Sequence, residues 1–197
     1  MRFSIWFHYR WSDNREGLEK IFRKVLFLVV TLLVGNLTWG KELPEVISGL
    51  VSAVHDGDTI TVMSEDGQEY RIRFQAIDAP EQGQSGGWQS KWFLARLIAG
   101  KIVSVEVEKK DPFGRCVGRI FLNIGEGCEE FSGDVALKLL DVEKVMVAQG
   151  HAWHYTYFNK ETALATAEKE ARREKRGVWS EEKPIPPWKY RSLKKGK

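Results

Sequence analysis

The feature that most constrains the fold of this chain is a series of short alternating segments, punctuated by turns, between residues 46 and 81. Val51 and Val54 lead into a turn at Asp56-Gly57, where glycine is expected to supply a positive φ. Thr59-Ile60-Thr61-Val62 then alternates polar and apolar, the period of a half-buried strand. Glu65-Asp66-Gly67 is a second hairpin signal. From Tyr70 to Ile77 the alternation resumes, with Ile72, Phe74 and Ala76 on one face and Arg71, Arg73 and Gln75 on the other. Pro80 ends the ladder because it has no N–H to donate.

The period changes downstream. Residues 88–99 have helical spacing, with Trp88, Trp92, Ala95 and Ala99 on one stripe, Leu94, Leu97 and Ile98 beside it, and Gly100 as a stop. Val103, Val105 and Val107 mark a fourth strand, Asp111-Pro112-Phe113-Gly114 a turn, and Cys116 to Ile124 a fifth strand. A polar loop over 125–133 leads to a returning strand over 134–140. Helices are predicted over 143–149 and 161–176, ended by Gly150 and Gly177. Residues 181–197 contain three prolines and end in Lys194-Lys195-Gly196-Lys197, and read as a loosely held tail. Short strands with one inserted helix and further helices at the end predict a small closed barrel rather than a doubly wound sheet. Gly83-x-x-Gly86-Gly87 does not fit the dinucleotide-binding fingerprint.

Composition narrows the classes further. With 197 residues, 43% hydrophobic and 29% charged, the chain has material for one core. Two cysteines exclude a disulfide scaffold and a four-thiolate zinc site. The net charge of +3 resides entirely in residues 1–40, which hold six basic and three acidic side chains; the rest balances. A pI near 8.8 is therefore no nucleic-acid signature in itself. In that leader Arg23-Lys24 precedes the apolar run Val25 to Val34, and Thr38 and Gly40 follow, the order of a secretory signal. Residues 25–39 are read either as a cleaved signal core or as a retained membrane attachment, so export to the periplasm or the medium is expected. Export opens a hairpin disulfide between Cys116 and Cys128.

Candidate chemistry gathers where strands end. Asp56 and Asp58 flank the first turn, Asp78 ends the third strand, and Glu81 follows it by three. Carboxylates held close repel one another and favour a cation between them, and all-oxygen ligation favours calcium or magnesium. Asp56 reads mainly as a turn residue. Arg73 lies on the non-core face of the strand leading to Asp78, and Arg115 closes the Asp-Pro-Phe-Gly turn. Guanidiniums match phosphate oxygens in bidentate fashion. Such a rim suits phosphodiester hydrolysis, and its composition alone suits simple phosphate binding equally. His151 and His154 are three apart, with no further soft ligand near them in sequence to make a zinc site.

Four strings in order, Val54-His-Asp-Gly-Asp-Thr-Ile60, Arg71-Ile-Arg-Phe-Gln-Ala-Ile-Asp-Ala-Pro-Glu81, Asp111-Pro-Phe-Gly-Arg115 and Gly150-His-Ala-Trp-His-Tyr-Thr-Tyr157, resemble the staphylococcal nuclease (thermonuclease) family over about residues 46–180. The resemblance implies an OB-fold, a five-stranded β-barrel with three helices. It also implies calcium-dependent endonucleolytic cleavage of DNA and RNA that leaves 3′-phosphate ends. Asp58 and Asp78 match the calcium carboxylates, and Ala79 matches the position that offers a backbone carbonyl. Arg73 and Arg115 match the phosphate-binding arginines and Glu81 the general base. Tyr155 and Tyr157 match the aromatics beside the nucleotide. Ala79 stands where the family's best-known member has Thr, and Pro112 and Phe113 replace Lys and Tyr. A monomer is expected. The alternative reading is a non-catalytic OB-fold that binds nucleic acid or serves as a membrane-attached interaction module.

Overall fold

The computed structural model describes residues 45–128 and 135–196. The leader, residues 129–134 of the polar loop and the side chain of Cys128 lie outside the described residues.

Eight strands are described: β1 (Val46–Val54), β2 (Thr59–Ser64), β3 (Glu69–Phe74), β4 (Ile77–Asp78), β5 (Ile102–Lys110), β6 (Cys116–Cys128), β7 (Val135–Asp141) and β8 (Trp153–His154). The helices are α1 (Gly87–Ile98), α2 (Val142–Ala148), α3 (Thr162–Arg173) and α4 (Pro187–Lys195), with a 3-10 turn at Gly177–Ser180. The main sheet runs β3-β2-β1-β5-β6-β7, and β3 also pairs in parallel with β6. That extra pairing closes β1, β2, β3, β5 and β6 into the expected five-stranded barrel, and closure removes the free edges of β3 and β6. The OB-like expectation is met, with two additions: β7 extends the sheet beside β6, and there is a fourth helix.

The alternation in the sequence carries through to packing. Ile60, Val62, Ile72, Phe74, Val103, Val105 and Ile120 fill the barrel interior, while Arg71 is exposed and Arg73 half-buried on the outer face of β3. Burying a Val, Ile or Phe side chain is worth roughly 1.5–3 kcal/mol, so this two-residue period holds the register of each strand. Helix α1 plugs the barrel with Leu94 and Ile98, and its inner stripe is Gly87, Ser90, Leu94 and Ile98. The tryptophans of the expected stripe face outward, Trp88 under Lys91 and Trp92 under Arg96.

Three expectations are corrected. Gly57 is not among the positive-φ glycines; a Cβ there would collide with Ser90 Oγ and Ala79 Cβ, so glycine is required for the close approach of the first turn to α1. Cys116 is a free, buried thiol. It and Cys128 sit at opposite ends of one 13-residue strand, roughly 40 Å of extended chain at about 3.3 Å per residue, whereas a disulfide needs Cα atoms within about 7 Å. The segment after Lys183 is not loose. Pro187 starts α4 at a position where a missing N–H costs nothing, and Tyr190 Oη donates to the Gly83 carbonyl at 2.9 Å. Gln84 Nε2 donates to the Ile185 carbonyl at 2.6 Å.

Candidate active site

The first turn, the end of β3 and strand β4 meet at one rim of the barrel. Register places Thr59 opposite Arg73, and Phe74 N–H donates to the Asp58 carbonyl at 2.9 Å, so Asp58 is tied to the strand that carries Arg73. Its carboxylate accepts from Ala79 N–H at 2.7 Å and from Thr59 Oγ1 at 3.2 Å. The guanidinium of Arg73 then bridges two acids: Nη1 pairs with Asp58 Oδ1, and Nη2 with Asp78 Oδ1 at 3.0 Å. Asp58 is 6% exposed and Asp78 fully buried. Two buried carboxylates within reach of one guanidinium are the convergence that the sequence predicted for Asp58, Asp78 and Arg73.

A further cation completes the rim. Arg191, from α4, donates to Asp78 Oδ1 at 3.0 Å and Oδ2 at 2.7 Å, and to Glu81 Oε1 at 2.7 Å. Glu81 is linked to Asp78 through this guanidinium, and its own side chain is 39% exposed. The cleft around it, about 520 Å³, is lined by His55, Asp56, Arg71, Glu81, Arg191 and Lys194, among others. Asp56 serves the turn as expected, its carboxylate accepting the Asp58 N–H at 3.0 Å. Burial, and then the neighbouring charge of Asp58, push its carboxyl up to about 6. Asp78 is likewise raised by burial, against the hydrogen bonds of Arg191, which lower it.

Arg115 stands on the other side of Arg73, and both line a cavity of about 320 Å³ with Lys109, Tyr155 and Phe158. Asp111 aims it: this carboxylate accepts the N–H groups of Phe113 and Arg115, both at 2.9 Å, and Arg115 Nε at 2.7 Å. The turn and the arginine are thus oriented by one acid. Strand β8 pairs Trp153 with Asp78, and Tyr155 N–H donates to the Ala76 carbonyl at 2.8 Å. Tyr155 is thereby fixed beside the acidic strand. Its ring lies 5.1 Å from Phe158, 5.6 Å from Trp188 of α4 and 6.3 Å from Tyr157, which is 80% exposed. Ala79 is buried behind Asp58.

The staphylococcal nuclease homologue family model matches residues 71–181, more than half of the chain. The chain belongs to the staphylococcal nuclease family. It is 38% identical over 148 residues to an uncharacterized endonuclease of Escherichia coli O157:H7, covering 75% of this chain and 87% of that protein. It is 34% identical over 168 residues to the micrococcal nuclease of Shigella flexneri, covering 84% and 90%. It is 35% identical over 129 residues to the staphylococcal-like nuclease CAN1 of Arabidopsis thaliana, covering 66% and 35%. The family match encloses Arg73, Asp78, Glu81, Arg115, Tyr155 and Tyr157, while Asp58 lies just before its start.

The residues missed in sequence act by holding others. Asp111 had only a turn signal. Glu143, fully buried at the start of α2, accepts the Ala76 N–H at 3.0 Å and so fixes the junction of β3 and β4 that presents Asp78. Arg191 lies in a Lys-rich segment that resembles any solvated tail, and no spacing links it to acids more than 100 positions away.

Proposed function

We propose that this member of the staphylococcal nuclease family is a calcium-dependent endonuclease that cleaves DNA and RNA and leaves 3′-phosphate ends. The observation that carries the proposal is the joining of Asp58, Asp78 and Glu81 through two guanidiniums at one rim, with Arg115 lining a cavity shared with Arg73.

The donor set suits a hard divalent ion. Asp58 and Asp78 are buried carboxylates brought together by one guanidinium, and oxygen donors of this kind suit calcium or magnesium. Among the described residues there is no group of three or more His, Cys, Asp or Glu side chains arranged as a metal site, so the remaining ligands would be main-chain or solvent oxygen. Asp58, Asp78 and the Ala79 carbonyl are the residues that would hold calcium, which when bound supplies positive charge to a phosphate oxygen and acidifies water.

The chain's own groups account for the rest of the reaction. Arg73 and Arg115 hold the scissile phosphate and balance the charge that grows on its oxygens, in a cavity walled by Phe74, Val117 and Tyr155 where such charge pairs are strengthened. Glu81, open to solvent on one side, takes the proton from the attacking water. The new P–O bond forms as the P–O5′ bond breaks, O5′ receives a proton, and the phosphate stays on the 3′ carbon. Tyr155 and Tyr157 offer ring faces to the flanking base. The basic-apolar-small order of the leader supports action outside the cytoplasm, and mass spectrometry of the mature N-terminus distinguishes cleavage from anchoring.

The test is digestion of single-stranded DNA and RNA by the full-length protein with calcium or with chelator. Calcium-dependent fragments whose 3′ ends become extendable only after phosphatase treatment are expected. Equal cleavage, or none, in the two conditions refutes the calcium reading, and 5′-phosphate products refute the assigned bond.

A further inference from the structure

Helix α4 has the sequence Pro-Trp-Lys-Tyr-Arg-Ser-Leu-Lys-Lys, with four basic side chains and no acid. It meets the acidic rim through Arg191. Its Arg191 uses both terminal nitrogens on both oxygens of Asp78 and reaches Glu81 as well. Arg73 already occupies Asp58 and shares Asp78 Oδ1. Three donors from two guanidiniums thus meet the two oxygens of Asp78, where a divalent ion would bind, and Glu81, the proposed proton acceptor, is paired with the same guanidinium of Arg191. A bidentate Arg–carboxylate pair with one partner fully buried is a strong, directional contact. The helix is also tethered by independent bonds, Tyr190 to Gly83 and Gln84 to Ile185, so its guanidinium sits at high effective concentration over the rim.

We infer that Arg191 is a built-in counter-cation that competes with the divalent metal for Asp78, so that docking of α4 and metal binding exclude one another. The inference rests on the calcium reading above. In the metal-free protein the arginine holds the acids together; metal binding displaces it and frees Glu81 to accept a proton. By linkage, whatever factor docked α4 takes from metal affinity, the metal takes from the docking of α4.

The experiment measures calcium binding by titration calorimetry on the full-length wild type, on Arg191→Gln and on the control Arg173→Gln, whose arginine is exposed and pairs with the neighbouring Glu174. In parallel, amide hydrogen exchange over residues 187–195 of the wild type is followed with and without calcium. Arg191→Gln is expected to bind calcium about tenfold tighter or more, the control is expected to match the wild type, and calcium is expected to speed exchange in α4. If the wild type binds calcium and Arg191→Gln binds no tighter, the competition is refuted while the calcium site stands. If neither protein binds calcium, both readings fall. Unchanged exchange in α4 of a calcium-saturated wild type refutes the competition by itself, including where Arg191→Gln does not fold.

Discussion

Glu143 offers a measurable consequence of how the site is built. Its carboxyl is fully buried. One oxygen accepts the Ala76 N–H at 3.0 Å; the other has no hydrogen-bond partner among the described residues and lies 3.9 Å from Arg119 Nε. Burial pushes this carboxyl up from 4.5 to about 7, outweighing the Ala76 hydrogen bond and the charge of Arg119. A carboxyl raised in the native state binds protons more tightly folded than unfolded. Its contribution to stability is therefore complete below pH 4.5 and is lost as pH rises through 7. A shift from 4.5 to about 7 corresponds to about 3 kcal/mol at about 1.4 kcal/mol per unit. Glu143→Gln keeps the acceptor for Ala76 but removes the charge, at a cost of about 1 kcal/mol for an amide N–H placed against Arg119. Urea unfolding at pH 5 and pH 8 checks this: the variant should be level with or slightly below the wild type at pH 5, and about 2 kcal/mol above it at pH 8. A difference between the two proteins that is the same at both pH values would show that Glu143 is ionised throughout, and that Arg119 compensates its burial in full.

Glu81→Gln should lower turnover by roughly 10²- to 10⁴-fold with an unchanged melting temperature, because it removes proton transfer from a partly exposed side chain rather than core packing; calorimetric unfolding beside an initial-rate assay checks both halves. Asp111→Ala releases Arg115 and two backbone N–H groups, so it should cost about 1–3 kcal/mol in denaturant unfolding and raise KM for single-stranded DNA. Gly57→Ala should destabilise by about 1–3 kcal/mol, read as a drop in urea midpoint, since the added methyl meets Ser90 and Ala79. Tyr157→Ala should weaken binding of single-stranded oligonucleotides by about 1–3 kcal/mol in a fluorescence titration without lowering the melting temperature, as its ring is largely in solvent.

What was legible in the sequence follows from what local patterns encode. The barrel strands announced themselves because one face of each is buried and the other wet, a condition that writes a period of two into the chain. Asp58, Arg73, Asp78 and Glu81 were legible because they lie within 24 positions of one another, on a turn and a strand whose geometry is set locally. Features that depend on tertiary contact were not. The docking of α4 rests on side-chain contacts of Tyr190, Gln84, Arg191 and Trp188, none of which alters local periodicity. The helical spacing of α1 put Trp88 and Trp92 on one stripe without deciding which stripe is buried; the barrel is met instead by Gly87, Ser90, Leu94 and Ile98, and the close approach of Gly57 needs a residue as small as Ser90 opposite it. The two cysteines looked like partners across a hairpin until β6 proved to run unbroken between them.

The arginines also explain how an acidic rim can fold. Four carboxyls, Asp56, Asp58, Asp78 and Glu81, share the rim, and the raised values of Asp56 and Asp78 register the strain of burying like charges together. Breaking a buried pair by removing one partner typically costs about 3–5 kcal/mol, because a charge is left uncompensated. Arg73 meets Asp58 and Asp78 Oδ1; Arg191 meets both oxygens of Asp78 and Glu81. The two guanidiniums therefore compensate Asp58, Asp78 and Glu81 together. They differ in origin: Arg73 is fixed in a barrel strand, whereas Arg191 is carried on the separate helix α4. Compensation of the buried acids is thereby shared between two elements far apart in the sequence.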